Sequence, residues 1–334
     1  MRRRDDALWE WSVFWQSDQL QSCMPVNEAG ASDQLYSAWR EFFDTLPASA
    51  RILDLGTGNG SLAIQAVEAS RARSEPFSVH GVDLAEIQPS RYVTSAATAL
   101  EEISFHPRTP MEKLPFADGH FDAVASQYAI EYSNTRKSLP EAFRVLKPGG
   151  RFCFLMHADD GALKDRCRLQ SQQAQTILDS RLFTALVDML KRSVTAEAQN
   201  TPQALSLAEQ SIKTFKAILD DLVQGFSNDE DHSLVNNLFA AIMRLPDMRR
   251  SQNLETLIAM ANDIRDLLSA QAKRLQAMQH AALDDKAAND IVDRLRTLGA
   301  ENLTLETATA GTKEYCVGYW LSGDKSERGG QVSA

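Results

Sequence analysis

Asp54, Gly56, Gly58 and Gly60 stand at alternate positions in Arg51-Ile-Leu-Asp-Leu-Gly-Thr-Gly-Asn-Gly-Ser-Leu-Ala-Ile64. Glycines so spaced allow positive φ in a tight turn, and without a Cβ the backbone can approach a ligand closely. Arg51–Leu55 alternates and reads as a short buried strand, whereas Leu62–Ala72 has helical spacing. A helix starting there presents free N–H groups and the positive end of its dipole to the crevice above the strand. Strand, glycine turn and helix together make a nucleotide-cofactor site at the carboxyl end of a parallel sheet. Asp83 closes the next strand, Phe77–Asp83, where such a sheet places the carboxylate that accepts two ribose hydroxyls.

The ligand class follows from what the loop lacks. A nicotinamide fingerprint starting at Gly56 needs Gly or Ala where Ser61 stands, and no Gly-Lys-Ser/Thr of a phosphate loop follows. Acid-x-Gly-x-Gly-x-Gly resembles motif I of the class I S-adenosylmethionine-dependent methyltransferases. Downstream, Leu114-Pro-Phe116 followed by Asp118-Gly-x-Phe-Asp-x-Val124 resembles the loop and fourth strand of the ubiquinone/menaquinone-type methyltransferase group. Arg144-Val-Leu-Lys-Pro-Gly-Gly150 resembles a further hallmark of the same superfamily, architectural in role. These stretches occur in order, and the resemblance covers roughly residues 50–157 and resumes at the C-terminus.

The resemblance implies S-adenosylmethionine as cofactor, held by Asp54, Gly56, Gly58, Gly60 and Asp83. In that group an Asp four residues before the Leu holds the adenine amino group, and here Pro110 stands in its place. The Met111 backbone N–H with the Glu112 carboxylate is the expected substitute. Gln127, Tyr128, Glu131 and Tyr132 follow the fourth strand and so face the ligand crevice. Gln127 is expected on the methionine part, and Tyr128 and Tyr132 on the substrate with Trp15 of the N-terminal region. Methyl transfer from a sulfonium is an in-line displacement, for which alignment supplies on the order of 7–11 kcal/mol. A general base adds about 10²–10⁴-fold for a hydroxyl or acidic carbon and little for a neutral amine. His157, at the end of the fifth strand, is the candidate base, and Glu131 a second.

Several elements must position these groups. Residues 1–45 read as an aromatic-rich helical flap, carrying Trp9, Trp11, Phe14, Trp15, Tyr36, Trp39, Phe42 and Phe43, that either packs on the sheet edge or covers the site. Residues 46–158 form the cofactor-binding core, with strands at Phe77–Asp83, Ile103–His106, Phe121–Gln127 and Phe152–His157 and a helix from Pro89 to about Leu100. Residues 159–284 break the alternation with apolar stripes stepping by three and four, such as Leu254, Leu257, Ala261, Ile264 and Leu268. This segment is expected to be an all-helical insertion that caps the substrate pocket, and the same stripes would serve a homodimer. Residues 285–323 add a helix and a hairpin, and 324–334 read as a disordered tail. The expected fold is therefore α/β: a Rossmann-like seven-stranded sheet with helices on both faces. Its last strand runs antiparallel, as the resemblance implies, and the large helical insertion is added to it.

The chain of 334 residues carries a formal charge of −10, which disfavours a nucleic-acid partner. Its four cysteines have no Cys-x-x-Cys spacing, so neither a zinc site nor a disulfide framework is expected. Arg2–Arg4 before Ala7–Trp15 does not make a signal peptide, because Glu10 interrupts the apolar run. No run of about 18 apolar residues exists to span a membrane, and a cytoplasmic location is expected. The function expected is methyl transfer to a small-molecule O, N or C nucleophile. Transfer to a protein or RNA, or a non-catalytic scaffold whose helices recruit a partner, are the alternatives.

Overall fold

The computed structural model describes residues 8–22, 31–71, 73–249, 251–311 and 314–327. Arg2–Arg4, Cys23 and residues 328–334 of the expected tail lie outside the described residues. Contacts divide the chain into two units: residues up to Asp165 with those from Ala277 onward, and Arg166–Gln276.

The first unit is built on β1 (Arg51–Leu55), β2 (Ser78–Val82), β3 (Ile103–His106), β4 (Phe121–Gln127), β5 (Leu146–Met156), β6 (Ala300–Ala310) and β7 (Tyr315–Lys325). They form one seven-stranded sheet in the order β3-β2-β1-β4-β5-β7-β6. The first five strands pair in parallel, and β7 runs antiparallel between β5 and β6. The mixed α/β fold expected from the alternation is therefore the one observed. Its helices, in chain order, are α1 (Trp9–Phe14), α2 (Ala31–Asp44), α3 (Ser61–Ser70), α4 (Pro89–Tyr92), α5 (Ala97–Leu100) and α6 (Thr135–Val145). Leu53, Leu55, Phe121, Phe152 and Phe154 fill the core between the sheet and its helices, all at most 1% exposed.

α2 is the N-terminal helix that packs on the sheet: Trp39 and Phe43 are fully buried, and Trp39 meets Trp320 of β7 at 4.9 Å between ring centres. The single helix expected from Pro89 to Leu100 is instead two short ones. Asp18 accepts the Thr94 backbone N–H at 2.9 Å and its hydroxyl at 3.0 Å, which draws the chain out of helical geometry between α4 and α5. α6 starts at Thr135, where the Asn134 side chain caps it by accepting from the Arg136 N–H at 3.2 Å. Lys147-Pro-Gly-Gly150 falls within β5 rather than before it, and the ladder to β4 shifts register between Phe121 and Ala123.

The second unit is all-helical. α7 (Ala162–Asp179) leads into it, followed by α8 (Leu182–Gln199), α9 (Pro202–Gly225), α10 (Ser233–Met248) and α11 (Leu254–Ala281), whose end returns to the first unit. α12 (Asp285–Thr297) then precedes β6. Leu182, Leu186, Phe215, Ile242, Leu257 and Leu275 belong to the buried cluster of this unit, so the stripes read from the sequence bury against one another. Thr201 caps α9 through its hydroxyl, with Pro202 at the first helical position. No helix among the described residues is long and apolar enough to cross a membrane.

One side chain fixes the loop that follows β3. The Arg144 guanidinium donates to the carbonyls of Phe116 at 2.8 Å and Leu114 at 3.1 Å, and to the carboxylates of Glu141 and Asp118 at 2.7 Å each. Glu141 in turn accepts the Leu114 N–H at 2.7 Å. Five planar donors suit this task and an ammonium does not. Arg144→Lys is expected to cost about 1–2 kcal/mol in urea unfolding, discounted for partial exposure. Hydrogen exchange at residues 112–118 should quicken.

Candidate functional site

The carboxyl ends of β1, β2 and β4 open onto a cavity of about 480 Å³. All three loop glycines have positive φ, at 70° for Gly56, 54° for Gly58 and 88° for Gly60. Close approach also demands them. A Cβ at Gly56 would lie 2.3 Å from that of Ala129, and one at Gly58 would lie 2.4 Å from the Trp15 ring. Gly60 is the left-handed N-cap of α3 and contributes no side-chain cap.

Asp83 organises the opposite wall. One carboxylate oxygen accepts the Gly58 N–H and the other the Ala85 N–H, each at 2.8 Å. Each oxygen retains capacity for a further donor, which a ribose diol supplies. Burial pushes the Asp83 carboxyl up to about 6 against the pull of these two amides. Burial also pushes Asp54, 2% exposed, up to about 7. The Thr57 hydroxyl at 2.7 Å and the Ala63 amide hold Asp54 down, while the neighbouring Asp83 charge raises it. Two strained carboxyls beside one cavity favour a ligand carrying positive charge and hydroxyl donors.

Asp54, Gly56, Asp83, Met111, Glu112, Gln127, Tyr128, Tyr132 and Trp15 all line the cavity. Gln127 presents a buried Oε1 with no hydrogen-bond partner among the described residues, an acceptor awaiting a donor. Glu112 is tied back, accepting the Asn134 N–H at 2.8 Å. Gly58 and Gly60 do not line the cavity; Gly58 lies under Trp15, and Gly60 starts the helix. Tyr128 sits at φ 54°, unusual for an aromatic residue, and donates its hydroxyl to the Val317 carbonyl at 3.0 Å.

Of the two residues expected to act as bases, Glu131 is among those lining the cavity and His157 is not. Glu131 Oε1 accepts from the His157 backbone N–H at 2.9 Å and meets His157 Nδ1 at 2.6 Å. Their side chains are 0% and 1% exposed. Tyr128 stacks on the His157 ring at 4.4 Å and Tyr132 meets it edge-on at 5.8 Å. The pair locks the end of β5 to the turn Ile130–Tyr132, with the His157 ring behind the wall, and Glu131 Oε2 has no hydrogen-bond partner among the described residues. His80 and His106 also stand apart from the cavity. Their rings stack with Nδ1 and Nε2 3.2 Å apart, packed against Phe116.

Glu10, Trp11, Leu84, Gln21 and His280 line the cavity without having been singled out as site residues. Trp11 meets Tyr132 at a right angle, 5.7 Å between ring centres. The aromatic density near the N-terminus was the available signal for Trp11. For His280, in the last turn of α11, there was none, since it continues a helical stripe.

Residues 52–150 match the methyltransferase domain family. A dimethylglycine N-methyltransferase of Parasynechococcus marenigrum is 35% identical over 131 residues, 38% of this chain and 44% of that protein. A ubiquinone/menaquinone biosynthesis C-methyltransferase of Rickettsia typhi is 30% identical over 138 residues, 39% of this chain and 55% of that one. A demethylmenaquinone methyltransferase of Thermus thermophilus is 37% identical over 109 residues, 32% of this chain and 47% of that one. The chain thus spans about half the length of these curated relatives. With the glycine loop, the acid closing β2 and the antiparallel β7 in place, residues 52–150 are a methyltransferase domain.

Proposed function

We propose that this protein transfers a methyl group from S-adenosylmethionine to a small molecule bound in the same cavity. The observation that carries the reading is Asp83, held by the Gly58 and Ala85 amides at the cavity wall opposite an orphaned Gln127 Oε1. Asp83 would hold the ribose hydroxyls, and Asp54 with Gln127 the amino end. Leu84, half exposed, and Met111 would flank the base, with Glu112 at its edge. The cofactor supplies an activated methyl on a good leaving group. The chain supplies placement and exclusion of water, through the loop on one side and Trp11 and Trp15 on the other.

The His157 side chain is buried off the lining and Glu131 lines the cavity with its side chain 0% exposed, so the pair acts by positioning Tyr128 and Tyr132. The relatives bear names for methylation of dimethylglycine and of quinones, which supports a small-molecule acceptor. Ala277, His280 and Ala281, which belong to the first unit, also line the cavity.

Calorimetry with S-adenosylhomocysteine tests the site. Binding is expected for the native chain, a loss of at least about 100-fold for Gly58→Val, and about 10–100-fold for Asp83→Ala. No binding, or unchanged binding by both variants, would refute the reading. A pH series adds a signed expectation. Asp54 and Asp83 titrate near 7 and 6 in the free chain, and the ligand requires their ionised forms. Affinity should therefore be full at pH 8 and fall by about tenfold per pH unit and per group below those values. By the same sign, Asp54→Asn should stabilise the free chain at pH 8 by on the order of 1–3 kcal/mol while binding is lost.

A further inference from the structure

The charge of the cavity wall is one-sided. Glu10, Asp54, Asp83, Glu112 and Glu131 are its acidic residues, and among the described lining residues there is no lysine or arginine. Asp54, Asp83 and Gln127 suffice for the hydroxyls and amino group of the cofactor. Glu10 comes from another element, α1, and leaves negative charge beyond what the cofactor neutralises. Trp11, next to Glu10, and Tyr132 stand perpendicular on the same wall, forming an aromatic corner. Carboxylates beside such a corner form a recognition site for alkylammonium groups, through Coulomb attraction and ring quadrupoles together. A phosphate or diphosphate would meet only like charge, with nothing to balance it.

The geometry points to a small tertiary amine as the methyl acceptor, bound between Glu10, Trp11 and Tyr132. This rests on the methyl-transfer reading above and narrows it. The nitrogen lone pair forms the new C–N bond as the C–S bond breaks, and the positive charge passes from sulfur to nitrogen. The thioether leaves neutral and the product is a quaternary ammonium ion. A small tertiary amine is largely protonated at neutral pH, so it sheds that proton to solvent or to a wall carboxylate before its lone pair attacks, and once the C–N bond has formed no N–H is left to lose. The wall retains the same charge complement for substrate analogue and product, so choline, the product-like cation, serves as a probe.

The test uses the full chain loaded with S-adenosylhomocysteine, whose binding is first verified by calorimetry. Choline is then titrated against tryptophan fluorescence, with O-phosphocholine as the anionic control. Saturable quenching by choline is expected, at least about tenfold tighter than by O-phosphocholine. Glu10→Gln should weaken choline about five- to tenfold while leaving S-adenosylhomocysteine affinity within about twofold. A turnover assay with N,N-dimethylethanolamine should yield choline by mass. Absence of saturable choline binding, or equal affinity for O-phosphocholine, would overturn the amine assignment while leaving cofactor binding intact. Failure of S-adenosylhomocysteine to bind would instead overturn the methyl-transfer reading itself.

Discussion

The structure depends on one arrangement: a carboxylate at the end of β2 reaching across to an amide of the loop after β1. Asp83 bonds Gly58 and Ala85 at once, so two adjacent strand ends are tied together by a group whose charge is poorly solvated. The Val82 carbonyl adds two more ties, accepting the N–H groups of Gly56 at 2.9 Å and Thr57 at 3.0 Å. A tie of this kind demands glycine on the loop side, because the amides must turn toward β2 through positive φ. It also explains why a second buried acid, Asp54, is tolerated close by. The pair costs stability in the free chain, and a cation with hydroxyl donors would relieve both.

From that tie the rest of the site can be built outward. α1 brings Trp11 and Trp15 over the loop, and Asn59 anchors the chain between by donating to the carbonyls of Ser17 at 3.1 Å and Gln19 at 2.8 Å. The other wall is held from behind. His157 and Glu131 fix the turn that carries Tyr132, and the Tyr128 hydroxyl reaches the β7 carbonyl of Val317. The antiparallel strand that completes the sheet is thereby coupled to the wall of the cavity. Arg144 does equivalent work for the segment from Leu114 to Asp118, which gives the first residue of the Arg-Val-Leu-Lys-Pro-Gly-Gly stretch its physical role.

Much of this was legible from spacing alone. Strand, glycine turn and helix around Gly58, and the acid at Asp83, are local patterns with fixed geometry, and the structure places them together. The stripes of α9 and α11 are likewise local and are seen as helices. What spacing could not show was set by contacts distant in sequence. Asp18 breaks the helix after Pro89 from more than seventy residues away, and no window around Thr94 contains that information. His157 reads as a strand-end base, yet Glu131 and two tyrosines enclose it. Residues 1–45 read as one flap with two alternative roles, and the two helices divide them: α2 packs on the sheet while α1 lines the cavity. Glu10 and His280 had no motif to mark them, because a cavity wall gathers residues by position in space rather than along the chain.

The central claim is that a nucleoside sits over the glycine loop with its sugar on Asp83. A crystal structure of the chain with S-adenosylhomocysteine tests it most directly. The account predicts both ribose hydroxyls within hydrogen-bond distance of the Asp83 carboxylate and the amino group near Gln127. Density for the ligand away from β2, or an Asp83 that makes no contact with the sugar, would contradict it.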